Sequence, residues 1–259
     1  MPNNLEHKNY VQSVERALDI LKIMQASYRD MGITELSREL GLSKSTVHRL
    51  TTTLEAYGFV QQVVSTGKYR LGWGLFEMGN EVPKRLDFAL VAKPYLQKLS
   101  SEVDETAILA ILDGTDTIYL DKAETNQIMR MDIQVGCRLP AYCTALGKVL
   151  LAGLSDDSIR ELYKKEDFKK YTVNTTNTLE KLLGEIENAR SKKYAIDDEE
   201  YSLGFRCIAA PIHDATGNII AGISLAGPAS RLTMASFIDV CPRILDIASQ
   251  LSAALGYNP

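Results

Sequence analysis

The chain has 259 residues, 45% of them hydrophobic and 24% charged, which is the ordinary balance of a globular protein with room for one large domain or two modest ones. Disordered, collagen-like and mucin-like classes are excluded. With 29 basic and 33 acidic residues the formal charge is −4, which as a whole-chain figure speaks against a surface built for a polyanion.

The first residues, MPNNLEHKNY, carry no apolar run behind a basic head, and no stretch approaches the about 18 apolar residues that a membrane-spanning helix needs. The expectation is a cytoplasmic protein without a membrane partner. Val14, Ala17, Leu18, Leu21 and Met24 then follow helical spacing behind Ser13, a candidate N-cap, and predict a first helix of about four turns. A shorter helix is predicted over Thr34–Leu40 and ends at Gly41. Ser43 caps a third, KSTVHRLTTTLEAY, with an apolar stripe of Val47, Leu50 and Leu54, and Gly58 stops it. The run FVQQVVSTGKYRL reads as a hairpin turning at Ser65-Thr66-Gly67.

This order of elements is the layout of a winged helix-turn-helix. Opposite its apolar stripe the third helix presents Ser45, His48, Arg49 and Thr52, with Ser43, Lys44 and Thr46 at its first turn and no carboxylate. An arginine on such a face reaches guanine O6 and N7, while hydroxyls and first-turn N–H groups hold phosphates. Lys68 and Arg70 in the hairpin add cations for the backbone. Residues 1–71 carry nine Lys/Arg and seven Asp/Glu, a net of +2, and the remainder is at −6, so the two parts suit different partners.

Trp73–Gly79 reads as a short connecting helix, and Asp87–Leu99 as an amphipathic helix at the edge of the next domain. Ile108–Leu112 and Thr117–Asp121 predict one hairpin, and Ala209–Ile212 and Ile219–Leu225 another. Helices are predicted over Leu146–Gly153, Ser158–Lys164, Leu179–Arg190 and Met234–Leu255. Strands grouped in hairpins with helices between them predict a mixed, mostly antiparallel sheet. Cys137, Cys143, Cys207 and Cys241 lack CxxC spacing, so reduced thiols are expected.

Three stretches together resemble the IclR-type bacterial transcriptional regulators. They are SVERALDIL with GITELSRELGLSKSTVHRLTTTLEAYGFV and KYRLGWGLFEMG, then LPAYCTALGKVLLAGL at 139–154, and YAIDDEEYSLGFRCIAAPIHDATGNIIAGISLAGPASRL at 194–232. The resemblance implies an α+β protein with a winged helix-turn-helix DNA-binding domain over 1–72, a linker helix over 73–86 and a GAF-like effector-binding domain over 87–259. It implies a ligand-responsive regulator, a repressor of a catabolic operon, with no cofactor. Its partners would be a near-palindromic double-stranded DNA operator, a small organic acid and further copies of itself, as a dimer or a dimer of dimers.

The resemblance also places an effector pocket on three segments. In TALGK, Thr144 precedes the N–H groups of Ala145 and Leu146, which are open to a carboxylate at a helix start. Asp197 matches the first acidic position of the DDEE run, with Cys207 ten residues on. In the strand ISLA, Ser224 keeps one of two hydroxyls common in the family and Ala226 replaces the other. That departure speaks against an effector of the glyoxylate or pyruvate type. Other phrases, among them STGKYRLGWGLFEMGNE, are similar to the subgroup that responds to 2-keto-3-deoxygluconate and related sugar acids. Such an acid suits Asp197 and Arg130, the latter on a strand predicted at MRMDI.

Other functions weigh less. Cys143, Cys207 and His213 invite a thiol enzyme, but the chain holds three histidines and none of the GxSxG, HExxH, GxxxxGK[ST] or GxGxxG motifs. Cys137, Cys143, Cys207 and His213 match no structural zinc spacing, so no metal is expected. Two alternatives keep the DNA-binding half: an activator that answers an aromatic or other carboxylate, and an architectural protein whose acidic half only dimerises.

Overall fold

A computed structural model describes residues 10–84 and 87–258, and the chain divides into two units, Met1–Arg85 and Leu86–Pro259. Residues 85 and 86 of the expected linker helix, and the reading of residues 1–9, lie outside the described residues.

In the first unit, α1 (Gln12–Ser27), α2 (Ile33–Leu40) and α3 (Lys44–Ala56) precede a hairpin of β1 (Val60–Gln62) and β2 (Tyr69–Leu71), and α4 (Trp73–Lys84) follows. Ile20, Met24, Leu36, Val47, Leu54, Val60 and Tyr69 form its core. α1 differs from expectation in two ways. It starts one residue before Ser13, behind Val11, with no side-chain cap, and its buried line runs through Ile20 and Met24 while Val14 and Leu18 stay exposed. Two apolar lines lie side by side on this helix, and spacing alone does not say which one faces inward. Met31 pairs with Tyr69 through two 2.8 Å backbone hydrogen bonds, so the wing is anchored to the segment before α2. Gly72 closes the hairpin: its N–H donates to the Phe59 carbonyl at 2.9 Å, and a Cβ there would stand 2.2 Å from the Gly58 carbonyl oxygen. Glycine is needed for that close approach of two backbones.

The second unit is one six-stranded sheet with helices on both faces. β3 (Thr106–Asp113), β4 (Asp116–Ala123), β5 (Arg138–Pro140), β6 (Ala195–Asp198), β7 (Phe205–His213) and β8 (Ile219–Pro228) lie in the order β5-β4-β3-β8-β7-β6. Every pairing is antiparallel, so the sheet is not mixed. α5 (Asp87–Val103) and α9 (Phe237–Ala254) bury Leu96, Leu99, Ile244, Ile247 and Leu251 against one face. The other face, paved with small residues at Ala110, Ala195, Ala209 and Ala226, meets Ala145, Leu146 and Val149 of α6 (Ala145–Leu151). α7 (Asp156–Leu162) and α8 (Leu179–Lys192) complete that layer, burying Ile159, Leu182 and Ile186 together. With both faces covered, central strands read as apolar runs, which is why the middle of the sheet was legible. β5 and β6 are three and four residues long and carry too little pattern to predict. MRMDI is not a strand: residues 124–137 have no regular structure. Among the described residues no helix is long and apolar enough to cross a membrane.

Candidate functional site

In the first unit the residues expected to meet DNA lie on α3 and the wing. Ser43 Oγ accepts the Thr46 N–H at 3.2 Å and shares hydrogen bonds with Ser45 Oγ and Thr46 Oγ1, each at 2.9 Å. Ser43 is thereby committed to starting α3. Val47, Thr51 and Leu54 face inward, and Lys44, Ser45, His48, Arg49 and Thr52 are exposed on the other side, with Thr46 half-buried beside them. Thr52 Oγ1 donates to the His48 carbonyl at 2.9 Å, which leaves its lone pairs for an incoming donor. Lys44, His48 and Arg49 have no ion-pair partner among the described residues. In the wing, Lys68 Nζ stands 3.8 Å from Glu35 and Arg70 Nη2 3.0 Å from Asp30. Exposed pairs of this kind are worth about 0–1 kcal/mol, so a phosphate can take either cation over.

The second unit holds a narrow cavity between the small-residue face of the sheet and the start of α6. It is lined by Tyr119, Met131, Leu139, Thr144, Ala145, Leu146, Asp197, Tyr201, Cys207 and Ser224. At about 10 Å³ it has room for about one water molecule, so any organic acid must open it. Thr144 Oγ1 caps α6 by accepting the Gly147 N–H at 3.1 Å. That leaves the N–H groups of Ala145 and Leu146 at the cavity wall. The turn fits so closely because residue 147 is glycine; a Cβ there would lie 2.0 Å from the Ala141 carbonyl oxygen. Asp197 reaches the cavity from β6, across which it pairs with Cys207 on β7.

Electrostatics inside the cavity are set by burial. Asp197 Oδ1 accepts the Glu200 N–H at 2.7 Å, yet burial, with Glu200 nearby, raises its carboxyl to about 7. Desolvation, reinforced by Asp197 and Glu200, pushes the Cys207 thiol well above its ordinary range, and burial does the same to Cys143. Both thiols stay protonated, and His213 stacks on Tyr257 at 4.7 Å instead of facing either of them. Among the described residues no group of three or more His, Cys, Asp and Glu side chains is placed to hold a metal ion.

Thr144, Ala145, Leu146, Asp197, Cys207 and Ser224, expected at one pocket, meet around this cavity, and Arg130 does not. Arg130 lies in the irregular 124–137 segment, exposed, with Nη2 3.4 Å from Glu124. The strand assumed to carry it is absent because Met131 and Ile133 turn inward as cover for the sheet instead of pairing. Tyr119 and Tyr201 were missed. Alternation along β4 puts Tyr119 on the cavity face, and Tyr201 directly follows the acidic run, so both signals were present in the sequence.

The Asp197 carboxyl makes a pH prediction. Its folded-state value stands above the ordinary 3.8, so the stability it contributes is present below that value and lost as pH rises through about 7. A ligand hydroxyl that donates to Asp197 is held more strongly by the ionised form. An acid bound in this way is expected to bind about tenfold more tightly at pH 8 than at pH 6, and Asp197→Asn is expected to flatten that dependence; titration calorimetry at the two pH values reads both.

Comparisons with known proteins agree on both units. The family described as "IclR helix-turn-helix domain" matches residues 13–64, and "Bacterial transcriptional regulator IclR C-terminal" matches residues 80–253. The HTH-type transcriptional regulator XynR of Escherichia coli is 36% identical over 247 residues, covering 95% of this chain and 98% of its own. The HTH-type transcriptional repressor AllR of Salmonella typhimurium is 34% identical over 248 residues, covering 96% and 91%. Among solved structures, the Thermotoga maritima IclR matches with a TM-score of 0.80 at 29% identity, covering 96% of this chain and 100% of that one.

Proposed function

The chain belongs to the IclR family of transcriptional regulators and is a DNA-binding regulator, not an enzyme; from that premise we propose that it is a repressor released by a small organic acid bound in the cavity of its second unit. The DNA-binding part is assigned to residues 1–72, the linker helix to 73–86 and the effector-binding part to 87–259. The regulator acts in the cytoplasm on a near-palindromic operator, as a dimer or a dimer of dimers. One recognition helix spans few base pairs, and paired half-sites supply the missing specificity.

One observation carries the effector reading. Ser224 Oγ is buried without a hydrogen-bond partner among the described residues, in a cavity that the Asp197 carboxyl also lines. An unpaired buried hydroxyl beside a buried carboxyl suits a ligand with both acceptor and donor groups, such as a keto acid or a sugar acid. Its binding would shift the population between arrangements of the paired DNA-binding units. Titration calorimetry with keto acids, sugar acids and an aromatic acid tests the reading. Heat is expected with a keto or sugar acid and weaker heat with Ser224→Ala; heat with the aromatic acid alone contradicts it.

A further inference from the structure

Four buried side-chain atoms lack a hydrogen-bond partner among the described residues. Two are carboxylate oxygens of Glu185 and Glu200, which sit around the Lys148 ammonium. The other two are the hydroxyls of Thr106, fully buried, and Ser224, 1% exposed.

Strand register relates these two hydroxyls. Thr106 pairs with Ala226, Ala226 with Cys207, and Cys207 with Asp197, so the four residues form one row on one face of the sheet. Ser224 pairs with Ile108 and lies on the same face in the next row. Thr106 and Ser224 are therefore diagonal neighbours on adjacent strands, roughly 7–8 Å apart or less at their side chains. Two oxygens of one carboxylate, or two neighbouring hydroxyls of a polyol, fill that gap with a hydrogen bond of about 2.8 Å at each end.

The cavity already touches Asp197, Cys207 and Ser224, and between Cys207 and Thr106 stands only the methyl group of Ala226. Met131 and Ile133, from the 124–137 segment without regular structure, pack in the same cluster as Ile108 and Ala226, the neighbours of Thr106 on this face. The tip of that segment exposes Ile128 and Met129. A cover made of irregular chain opens at less cost than a helix or strand.

We propose that Thr106 is a specificity-determining contact of the effector, its hydroxyl acting with that of Ser224 as a clamp on one polar end of the bound acid once the 124–137 segment moves aside. The proposal rests on the effector-site reading above. It narrows the effector to an acid that is polar at both ends, a hydroxy or polyhydroxy acid, in preference to one with a hydrocarbon or aromatic tail. Valine fills the volume of threonine without the hydroxyl, and serine keeps the hydroxyl.

The test uses the full chain, with sodium gluconate, pyruvate and benzoate as probes in calorimetry and thermal melting. Gluconate affinity is expected to fall roughly 10- to 100-fold in Thr106→Val and to stay within about threefold of the parent chain in Thr106→Ser. Without acid, Thr106→Val is expected to melt at or above the parent temperature, because an unpaired hydroxyl has been removed. Gluconate binding to Thr106→Val as tightly as to the parent overturns the proposal and leaves the effector site standing. Early melting of Thr106→Val without acid also overturns it, by making the hydroxyl structural. No binding of any probe to the parent chain overturns the effector-site reading and this proposal with it.

Discussion

Lys148→Met is expected to lower the stability of the second unit by about 3–5 kcal/mol, the usual consequence of removing one partner of a buried ion pair. Lys148 lies on α6, two residues past Leu146 of the cavity wall, and is 3% exposed. Its ammonium contacts the carboxylates of Glu200 and Glu185 and donates to the Ile196 carbonyl at 3.2 Å. Burial opposes charge here, but Glu200 and Glu185 outweigh it and hold the ammonium above the ordinary lysine range. Methionine fills the volume and leaves Glu200 buried without its cation. Burial already pushes the Glu200 carboxyl up, against the pull of Lys148, and loss of Lys148 takes away that pull.

The sign of the pH effect follows. A carboxyl raised above its unfolded value gives stability below that value and loses it as pH rises, so the deficit of Lys148→Met is expected to shrink as pH falls toward about 5. The double change Lys148→Met with Glu200→Gln is expected to recover most of the loss, since no buried charge is left unpaired. Thermal melting of the four proteins over pH 5 to 8 reads the cycle. Equal melting of Lys148→Met and the parent chain contradicts it. Glu200 also donates its N–H to Asp197, so this pair fixes the acid group of the cavity as well as the fold.

Arg49→Ala is expected to weaken operator binding by about 1–3 kcal/mol and to relax base preference at one position of each half-site. The arginine is exposed on α3 and has no ion-pair partner among the described residues, so its removal releases no internal contact and the melting temperature stays where it was. Lys68→Ala serves as the contrast: it is expected to weaken all DNA sequences alike and to reduce the salt slope by about 1. Binding assays with the operator and with single-base variants separate the two outcomes. An operator preference unchanged by Arg49→Ala would remove that residue from base readout.

The first unit was largely legible because its signals are local. The Ser43 cap and the inward stripe of Val47 and Leu54 are read within about two helical turns of sequence. Where two apolar lines ran side by side on α1, the sequence held no way to choose between them, and Val14 and Leu18 fell on the exposed one. The cavity was legible through family resemblance and not through spacing. Asp197 and Cys207 are ten residues apart in sequence and become partners only because β6 and β7 pair in register. Arg130 was drawn in by its charge, but the cover it belongs to is held by Met131 and Ile133 facing inward. Thr106 carried no sequence signal at all. Its place depends on long-range pairing with Ala226, and its missing partner is visible only in three dimensions.

The whole-chain charge of −4 likewise divides once the fold is known. The exposed cations of α3 and the wing belong to the first unit, and the acidic balance belongs to the second, where it opposes sequence-independent attraction to DNA. On the proposed reading an acid binds there against the unit's own field, so local donors such as the Ser224 hydroxyl are needed to hold it.

Fluorescence anisotropy of a DNA fragment from upstream of the protein's own gene, at a fixed salt concentration of about 0.15 M, follows operator binding as the acid that gives heat in calorimetry is added. The acid is expected to release the DNA from the parent chain, while Ser224→Ala binds the same DNA equally well and no longer answers the acid. An acid that binds the chain and leaves DNA affinity unchanged, or a Ser224→Ala chain that loses DNA binding outright, would contradict the account.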